Sequence, residues 1–180
     1  MTVEPNFPLL DEILGQWTEQ LGPDLLPYRN HCTRMLNFCF ALQPGCTAGE
    51  REQLIIAAAF HDLGIWSDGT IDYLPPSEVR ARDYLSAHGK TDWIPLVDRL
   101  IDEHHKLRAY TDTRYPLAEV FRKADLVDVS LGLVRFGLPG AFVKEVRTLL
   151  PNEGFHKKLM SLAGGWFKLH PLSAPPFIKW

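Results

Sequence analysis

Three segments of the sequence place histidine or aspartate where the surrounding residues are apolar. His31 lies on an apolar helix face, His61 and Asp62 end the hydrophobic segment AAAFHDLG, and Asp125 lies in VFRKADLVDVS. Taken singly, each could be a hydrogen-bonded core residue or a partner of a helix dipole. Together they offer imidazole and carboxylate ligands for Mn²⁺, Fe²⁺, Co²⁺, Ni²⁺ or Zn²⁺. Four protein ligands would leave a coordination position for water or substrate, as in catalytic metal sites.

The elements that must position these residues are predicted to be helices, because apolar residues recur at three- and four-residue steps. We expect Gly64 to end the third helix as a left-handed residue, and Ser77 to cap the fourth. Residues 65–76 are predicted to form a loop that covers the site. The predicted helices span residues 9–21, 25–42, 48–63, 78–87, 92–106, 116–133, 139–150 and about a dozen residues from Asn152.

The tail, residues 170–180, contains too much proline to be helical, and its apolar end predicts that it packs along the domain. No segment alternates with a period of two for long enough to predict a strand. The expected fold is all-α, a single domain over residues 1–180.

The ordered set His31, His61, Asp62 and Asp125 resembles the H…HD…D signature of the HD-domain metal-dependent phosphohydrolase superfamily. FHDLG is similar to the family's helix-ending HDxG, and KAD is a common setting for its last aspartate. The resemblance covers about residues 24–135. It implies a helical bundle around a metal held by these four residues, with residues 139–180 packed on that core.

The sequence departs from the family pattern at two places. Many members carry lysine where this chain has Ile65, and dinuclear members carry two further histidine ligands, one of them where this chain reads Pro76-Ser77. His104 and His105 remain as a source of the other. The resemblance therefore implies one divalent metal, with a second metal less favoured.

His104 or His105 is the candidate general acid or phosphate-binding cation beside the metal. Adjacent helical residues point about 100° apart, so we expect at most one to face the metal, with His104 preferred. The alternative is a surface pair that stabilises a helix C-terminus. Asp128 is expected to orient a ligand or to pair with Arg122 or Arg135.

Composition limits the partners. The chain has 180 residues, 46% of them hydrophobic, and a formal net charge of −3, which excludes a disordered chain and argues against binding to a nucleic acid duplex. No apolar run is long enough to cross a membrane. Arg29, Lys106 and Lys123 are the candidate contacts to a small anionic phosphorylated substrate. No secretory signal is visible and three cysteines favour free thiols, so we expect a cytoplasmic protein, with a homodimer left open.

The function implied is hydrolysis of a small phosphate ester, including a nucleotide, by a metal-activated water, with Asp62 as ligand and base. A di-iron oxygenase is the second hypothesis and would need both additional ligands. A third is a non-catalytic nucleotide sensor or helical scaffold stabilised by metal, with Trp166 and Trp180 on a partner surface.

Overall fold

The predicted helical periodicity is confirmed in a computed structural model, which describes residues 1–179; Trp180 lies outside the described residues. No strand occurs in that range, and one hydrophobic core includes residues from Val3 to Phe155. The helices are α1 Pro8–Gly15, α2 Thr18–Leu21, α3 Leu25–Leu42, α4 Ala48–Phe60, α5 Gly64–Ser67, α6 Leu74–Ala87, α7 Ile94–Glu103, α8 Pro116–Val129, α9 Gly140–Leu149 and α10 Phe155–Leu169. Among residues 1–179, none of these helices combines the length and apolar character needed to cross a membrane.

Helices α3, α4, α7 and α8 form the centre of the bundle and carry the candidate site. Helix α3 packs on α8 and α4, and α7 packs on α4, α6 and α8. In α4 the residues Ala57, Ala58 and Ala59 are fully buried, and their small side chains allow neighbouring helices to approach closely. The polar residues of the candidate site therefore lie inside the core.

The single helix predicted for residues 9–21 is wrong, because the chain turns between α1 and α2. The N–H groups of Gln16 and Trp17 donate to the carbonyl groups of Ile13 and Leu14, three residues back, at 3.1 and 3.0 Å. Three-residue steps tighten the last turn and end the helix.

The predicted end of α4 at Gly64 is also wrong. The helix ends at Phe60, and Gly64 begins α5 without a left-handed backbone. A Cβ atom at Gly64 would lie 2.4 Å from the backbone oxygen of Tyr73. Glycine is thus required here by close packing, and not by a positive φ angle.

The loop predicted over residues 65–76 is shorter than expected, because α5 and α6 extend into it from both ends. Ser77 is not the N-cap of α6, which begins at Leu74. Its hydroxyl is buried and accepts a hydrogen bond from the N–H of Gly64 at 2.9 Å. Ser77 therefore ties α6 to the start of α5.

Two more predicted helices end early. Helix α7 begins at Ile94 after a short 3₁₀ turn and ends at Glu103, not at residue 106. Helix α8 ends at Val129, where Gly132 adopts a φ of 79° and donates its N–H to Val127 O at 2.9 Å. Leu131, with a φ of 56°, is the left-handed residue directly after the C-cap Ser130, and its N–H donates to Asp128 O at 2.9 Å, so this end is a Schellman motif.

The tail packs on the domain, as predicted. The N–H of Leu107 donates to Lys179 O at 2.9 Å, and Pro175 is buried. The predicted role of Trp180 falls outside the described residues. Within residues 1–179 all three cysteines are free, with Cys32 and Cys39 buried.

Candidate metal centre

Four residues from three parts of the chain meet in the core. His31 on α3 and His61 after α4 point their Nε2 atoms at one another, 3.0 Å apart. Asp125 on α8 places Oδ1 3.5 Å from His31 Nε2, and Asp62 places Oδ2 3.3 Å from His61 Nε2. All four residues are buried. The structure thus brings together the four residues that the signature singled out.

His104 joins this cluster from the turn after α7. Its Nε2 atom lies 3.4 Å from Asp62 Oδ1, within ion-pair range but without hydrogen-bond geometry. Ligand atoms lie within 4.8 Å of one another in each of three overlapping groups. These groups are His31 with His61 and Asp125, His61 with Asp62 and His104, and His104 with His105 and Asp125.

Three atoms of the cluster are buried and lack a hydrogen-bond partner among residues 1–179. They are Asp62 Oδ1, Asp125 Oδ1 and His104 Nε2. Buried polar atoms are normally satisfied, and an unsatisfied one costs about 1–3 kcal/mol. All three are ligand-type atoms of residues in the overlapping donor groups, so a divalent cation fits the donor set. These residues could hold a metal ion.

Each histidine of the inner cluster is oriented by a hydrogen bond at its other nitrogen. His31 Nδ1 donates to Asp128 Oδ2 at 2.7 Å, His61 Nδ1 to Ala58 O at 2.8 Å and His104 Nδ1 to Ile101 O at 2.6 Å. A proton on Nδ1 leaves the Nε2 lone pair free. Metal-binding histidines are held in this way.

Asp128 links His31 to a buried arginine. Its two carboxylate oxygens accept hydrogen bonds from Arg34 Nε and Nη2 at 2.5 and 2.8 Å. The expectation that Asp128 orients a ligand agrees with this geometry, but its arginine partner is Arg34 and neither Arg122 nor Arg135. Arg122 pairs with Glu119 instead.

Tyr28 fixes the backbone at the C-terminal end of α4. Its buried hydroxyl donates to Ala59 O at 3.1 Å and accepts a hydrogen bond from the N–H of Asp62 at 3.2 Å. Tyr28 lies on α3, one turn before His31. One helix therefore provides both a cluster histidine and the group that fixes the backbone at Asp62.

His105 follows His104 in the turn after α7 and also contacts the cluster, with Nε2 3.9 Å from Asp62 Oδ1. Its Nδ1 lies 3.6 Å from Asp125 Oδ2, and its Nε2 lies 2.6 Å from the hydroxyl of Tyr73. Both His104 and His105 contact the cluster, so the expectation that at most one would face it is wrong. Helix α7 ends at Glu103, and from the turn that follows both rings, with centroids 3.8 Å apart, come within 4 Å of the same atom, Asp62 Oδ1, at 3.4 and 3.9 Å.

Burial and mutual attraction shift the acidities of these groups. Burial favours the neutral form of Asp62, but the attraction of His61 and His104 outweighs it and lowers the pKa of Asp62 well below its usual value. Burial raises the pKa of Asp125 and lowers the pKa of His31. Burial opposes the charged form of His61 too, yet Asp62 raises the pKa of His61. The pKa values of Asp62 and His61 are thus shifted toward the charged forms, and those of Asp125 and His31 toward the neutral forms.

The candidate substrate contacts are all engaged in ion pairs. Arg29 binds Asp11 with Nε–Oδ1 at 2.5 Å, Lys106 lies 3.1 Å from Glu103 and Lys123 lies 3.4 Å from Glu119. Each cation therefore already has a carboxylate partner. Their role toward a substrate stays a prediction.

Comparison of the chain with protein-family models, with curated proteins and with solved structures finds no match. The buried histidine and aspartate cluster is compatible with a site of the HD type. The resemblance to that superfamily therefore depends on the residues and on the geometry described above.

Sequence reasoning missed Tyr28, Arg34 and Tyr73. Tyr28 and Arg34 lie three residues before and after His31 on a mostly buried helix, so a search for polar groups one turn from His31 would have found them. Tyr73 offers no such signal. Its contact with His105 joins residues 32 positions apart and depends on the folded chain.

Proposed function

We propose that this chain is a metal-dependent phosphohydrolase of the HD type that hydrolyses a small phosphate ester. The observation that supports the proposal is the convergence of buried imidazole and carboxylate donors whose inward atoms lack hydrogen-bond partners among the described residues. His31, His61, Asp62, His104 and Asp125, which form two donor groups that share His61, would hold the ion. When bound, a divalent cation supplies charge that lowers the pKa of water and offsets charge on the phosphoryl oxygens.

The reaction requires one proton acceptor and one proton donor. As a water oxygen forms its bond to phosphorus, Asp62 accepts a proton from that water. The ester P–O bond breaks, its electron pair stays on the leaving oxygen, and that oxygen takes up a proton. His105, hydrogen-bonded to the hydroxyl of Tyr73, is proposed to deliver it. We assign this step to His105 because His104 directs Nε2 inward.

Metal removal and reconstitution test the proposal. The protein is stripped with a chelator and reloaded separately with Mn²⁺, Co²⁺, Ni²⁺ or Zn²⁺, and phosphate release is measured on a panel of phosphate monoesters and nucleotides. We expect activity to vanish on stripping and to return with at least one of these ions.

A matched pair of variants completes the test. Asp62→Asn keeps the shape of the side chain and should lower kcat/KM by at least about 100-fold. Asp83→Asn makes the same change on an exposed aspartate of α6 and should leave kcat/KM unchanged. Full turnover in the Asp62→Asn protein would refute the assignment.

One observation favours a second candidate function. The three donor groups overlap, and the group of His104, His105 and Asp125 could hold a second ion. A di-iron oxygenase would need such a second site. Metal analysis separates the two candidates, because about two irons per chain together with oxygen consumption would favour the oxygenase over the hydrolase.

A further inference from the structure

A cavity of about 240 Å³ lies against the candidate metal centre. Tyr73 and His105 form one end of it, and Val129, Leu159, Leu162 and Phe177 are among its other walls. His105 belongs both to this cavity and to the donor group with Asp125 and His104. His105 therefore lies between the cavity and the rest of the cluster, and we call the cavity the apolar cavity.

The walls of the apolar cavity offer few hydrogen-bonding groups. Among its described lining residues, only Tyr73 and His105 carry side-chain nitrogen or oxygen atoms, and both are at the end next to the cluster. Ile65, Tyr73 and Leu74 form a small buried apolar cluster against which Leu159, Leu162 and Phe177 pack. The polar end thus faces the metal donors, and the remainder is hydrocarbon.

Charge near the cavity is neutralised. Lys158 and Lys179 are the chain neighbours of two lining residues, and they pair with Asp24 and Asp102 respectively. A ligand with several negative charges would have to compete with these carboxylates. A ligand with one anionic group would need only the metal centre.

We propose that the apolar cavity binds an apolar organic group of the substrate. This inference depends on the proposed function and gives it a substrate class, which is phosphate monoesters of apolar alcohols. The base and sugar of a nucleotide would leave polar groups without partners against these walls, which disfavours them. An apolar group gains free energy from burial, about fourfold in affinity for each methylene.

The size of the cavity is suitable for such a group. An engineered cavity of ~150 Å³ lined by apolar side chains is large enough to bind benzene. The apolar cavity is larger, at about 240 Å³, so it can take a ring or a chain of several carbons. Hydrolysis of such an ester moves water oxygen onto phosphorus and returns the apolar alcohol, with its proton, as the second product.

The test compares methyl, butyl and octyl phosphate with a nucleoside monophosphate, using the Mn²⁺-loaded full-length protein. We expect kcat/KM to rise at least tenfold from methyl to octyl phosphate and to be lower for the nucleotide. Phosphate release that is equal along the alkyl series, or highest for the nucleotide, would overturn the inference and leave the proposed function intact.

Binding provides a readout that does not depend on turnover. Octylphosphonate and methylphosphonate are titrated into the metal-loaded protein by calorimetry at several temperatures. We expect octylphosphonate to bind at least tenfold more tightly and with a more negative heat-capacity change, the mark of apolar burial. If no ester is hydrolysed but this binding difference is present, the proposed function fails and the apolar cavity stands. If the two phosphonates bind equally, the inference is wrong.

Two variants of α10 locate the effect. Ala163 lines the cavity, and Ala163→Phe should fill it and reduce the octyl preference, in both turnover and binding, by at least fivefold. Ser161→Phe adds the same ring at an exposed position of the same helix and should preserve the preference. An octyl preference that survives Ala163→Phe in a folded protein would contradict the assignment to this cavity.

Discussion

His31 donates a hydrogen bond from Nδ1 to Asp128 Oδ2 across 2.7 Å, although the two residues are 97 positions apart in the sequence. The same carboxylate binds Arg34, one turn along α3 from His31. A single carboxylate on α8 therefore fixes both a candidate metal ligand and a buried cation on α3. This arrangement joins the orientation of the metal centre to the stability of the core.

The link through Asp128 predicts weaker metal binding when the carboxylate is neutralised. In the Asp128→Asn variant, His31 loses its anionic partner, and we expect the Mn²⁺ dissociation constant to increase by about 10- to 100-fold. Isothermal titration calorimetry measures this change. Asp11→Asn, which removes the partner of Arg29 at the surface, is the matched control and should bind metal normally.

A double variant separates metal binding from stability. Asp128→Asn leaves Arg34 buried without its anion, which costs about 3–5 kcal/mol of unfolding free energy. Arg34→Gln combined with Asp128→Asn removes both charges and should recover part of that loss in urea denaturation. Metal affinity should stay low in the double variant. If it returned to the original value, Asp128 would act on the fold and not on His31.

Divalent metal should stabilise the folded protein. Ligand bound only to the native state adds about 2.7 kcal/mol when its concentration is 100 times the dissociation constant. We therefore expect Mn²⁺ or Zn²⁺ to raise the melting temperature of the chelator-treated protein. His61→Ala should abolish the increase, and His88→Ala, at an exposed histidine, should keep it. An equal increase in all three proteins would indicate binding elsewhere.

Gly64 is predicted to be intolerant of even a methyl group. Gly64→Ala would place Cβ 2.4 Å from Tyr73 O, a backbone atom, and 2.9 Å from Pro76 Cγ. We expect a loss of about 1–3 kcal/mol in unfolding free energy. Gly49→Ala is the control, since no atom lies within 4 Å of its Cβ position, and it should be neutral or stabilising by up to about 1 kcal/mol. Urea denaturation of both variants checks the contrast.

We expect the stability of the folded protein to depend on pH through Glu78, a residue outside the metal centre. Burial, followed by repulsion from Asp102 and Asp98, raises the pKa of Glu78 to about 7. The folded state thus holds the proton more tightly than the unfolded state. The contribution of Glu78 to stability is present below pH 4.5 and is lost as pH rises toward about 7.

The Glu78→Gln variant tests this sign. The difference in unfolding free energy between the variant and the original protein should shift in favour of the variant by up to about 3 kcal/mol from pH 4.5 to pH 8. Glu145→Gln, at an exposed position on α9, should show no such gain. Thermal melts at the two pH values compare them, and a difference that shrinks as pH rises would be the wrong sign.

The parts of the fold and of the candidate site that could be predicted were those marked by a local pattern in the sequence. His31, His61 and Asp125 could be selected because each interrupts an apolar helix face, and they do meet. The ion pair between Asp128 and Arg34 could not be predicted, because it depends on how α3 packs on α8. The sequence pattern suggested only Arg122 and Arg135, which are near Asp128 in the chain. The packing of one helix on another is determined by the whole core and produces no periodic pattern in the sequence.

Helix ends were the least predictable feature. The pattern extended α7 to residue 106, and that extension implied that His104 and His105 point in different directions. The helix stops at Glu103, and both rings contact the cluster from the turn that follows. The apolar cavity was equally hidden, since its walls come from α8, α10 and the tail, which meet only in the folded chain.

The proposed function depends on one divalent ion held by the buried donors, and anomalous diffraction from crystals grown with Mn²⁺ tests it most directly. We expect one strong peak at about 2.0–2.3 Å from the Nε2 atoms of His31 and His61, and also next to the carboxylates of Asp62 and Asp125. A well-ordered cluster with no peak, or manganese found only on surface carboxylates, would contradict it.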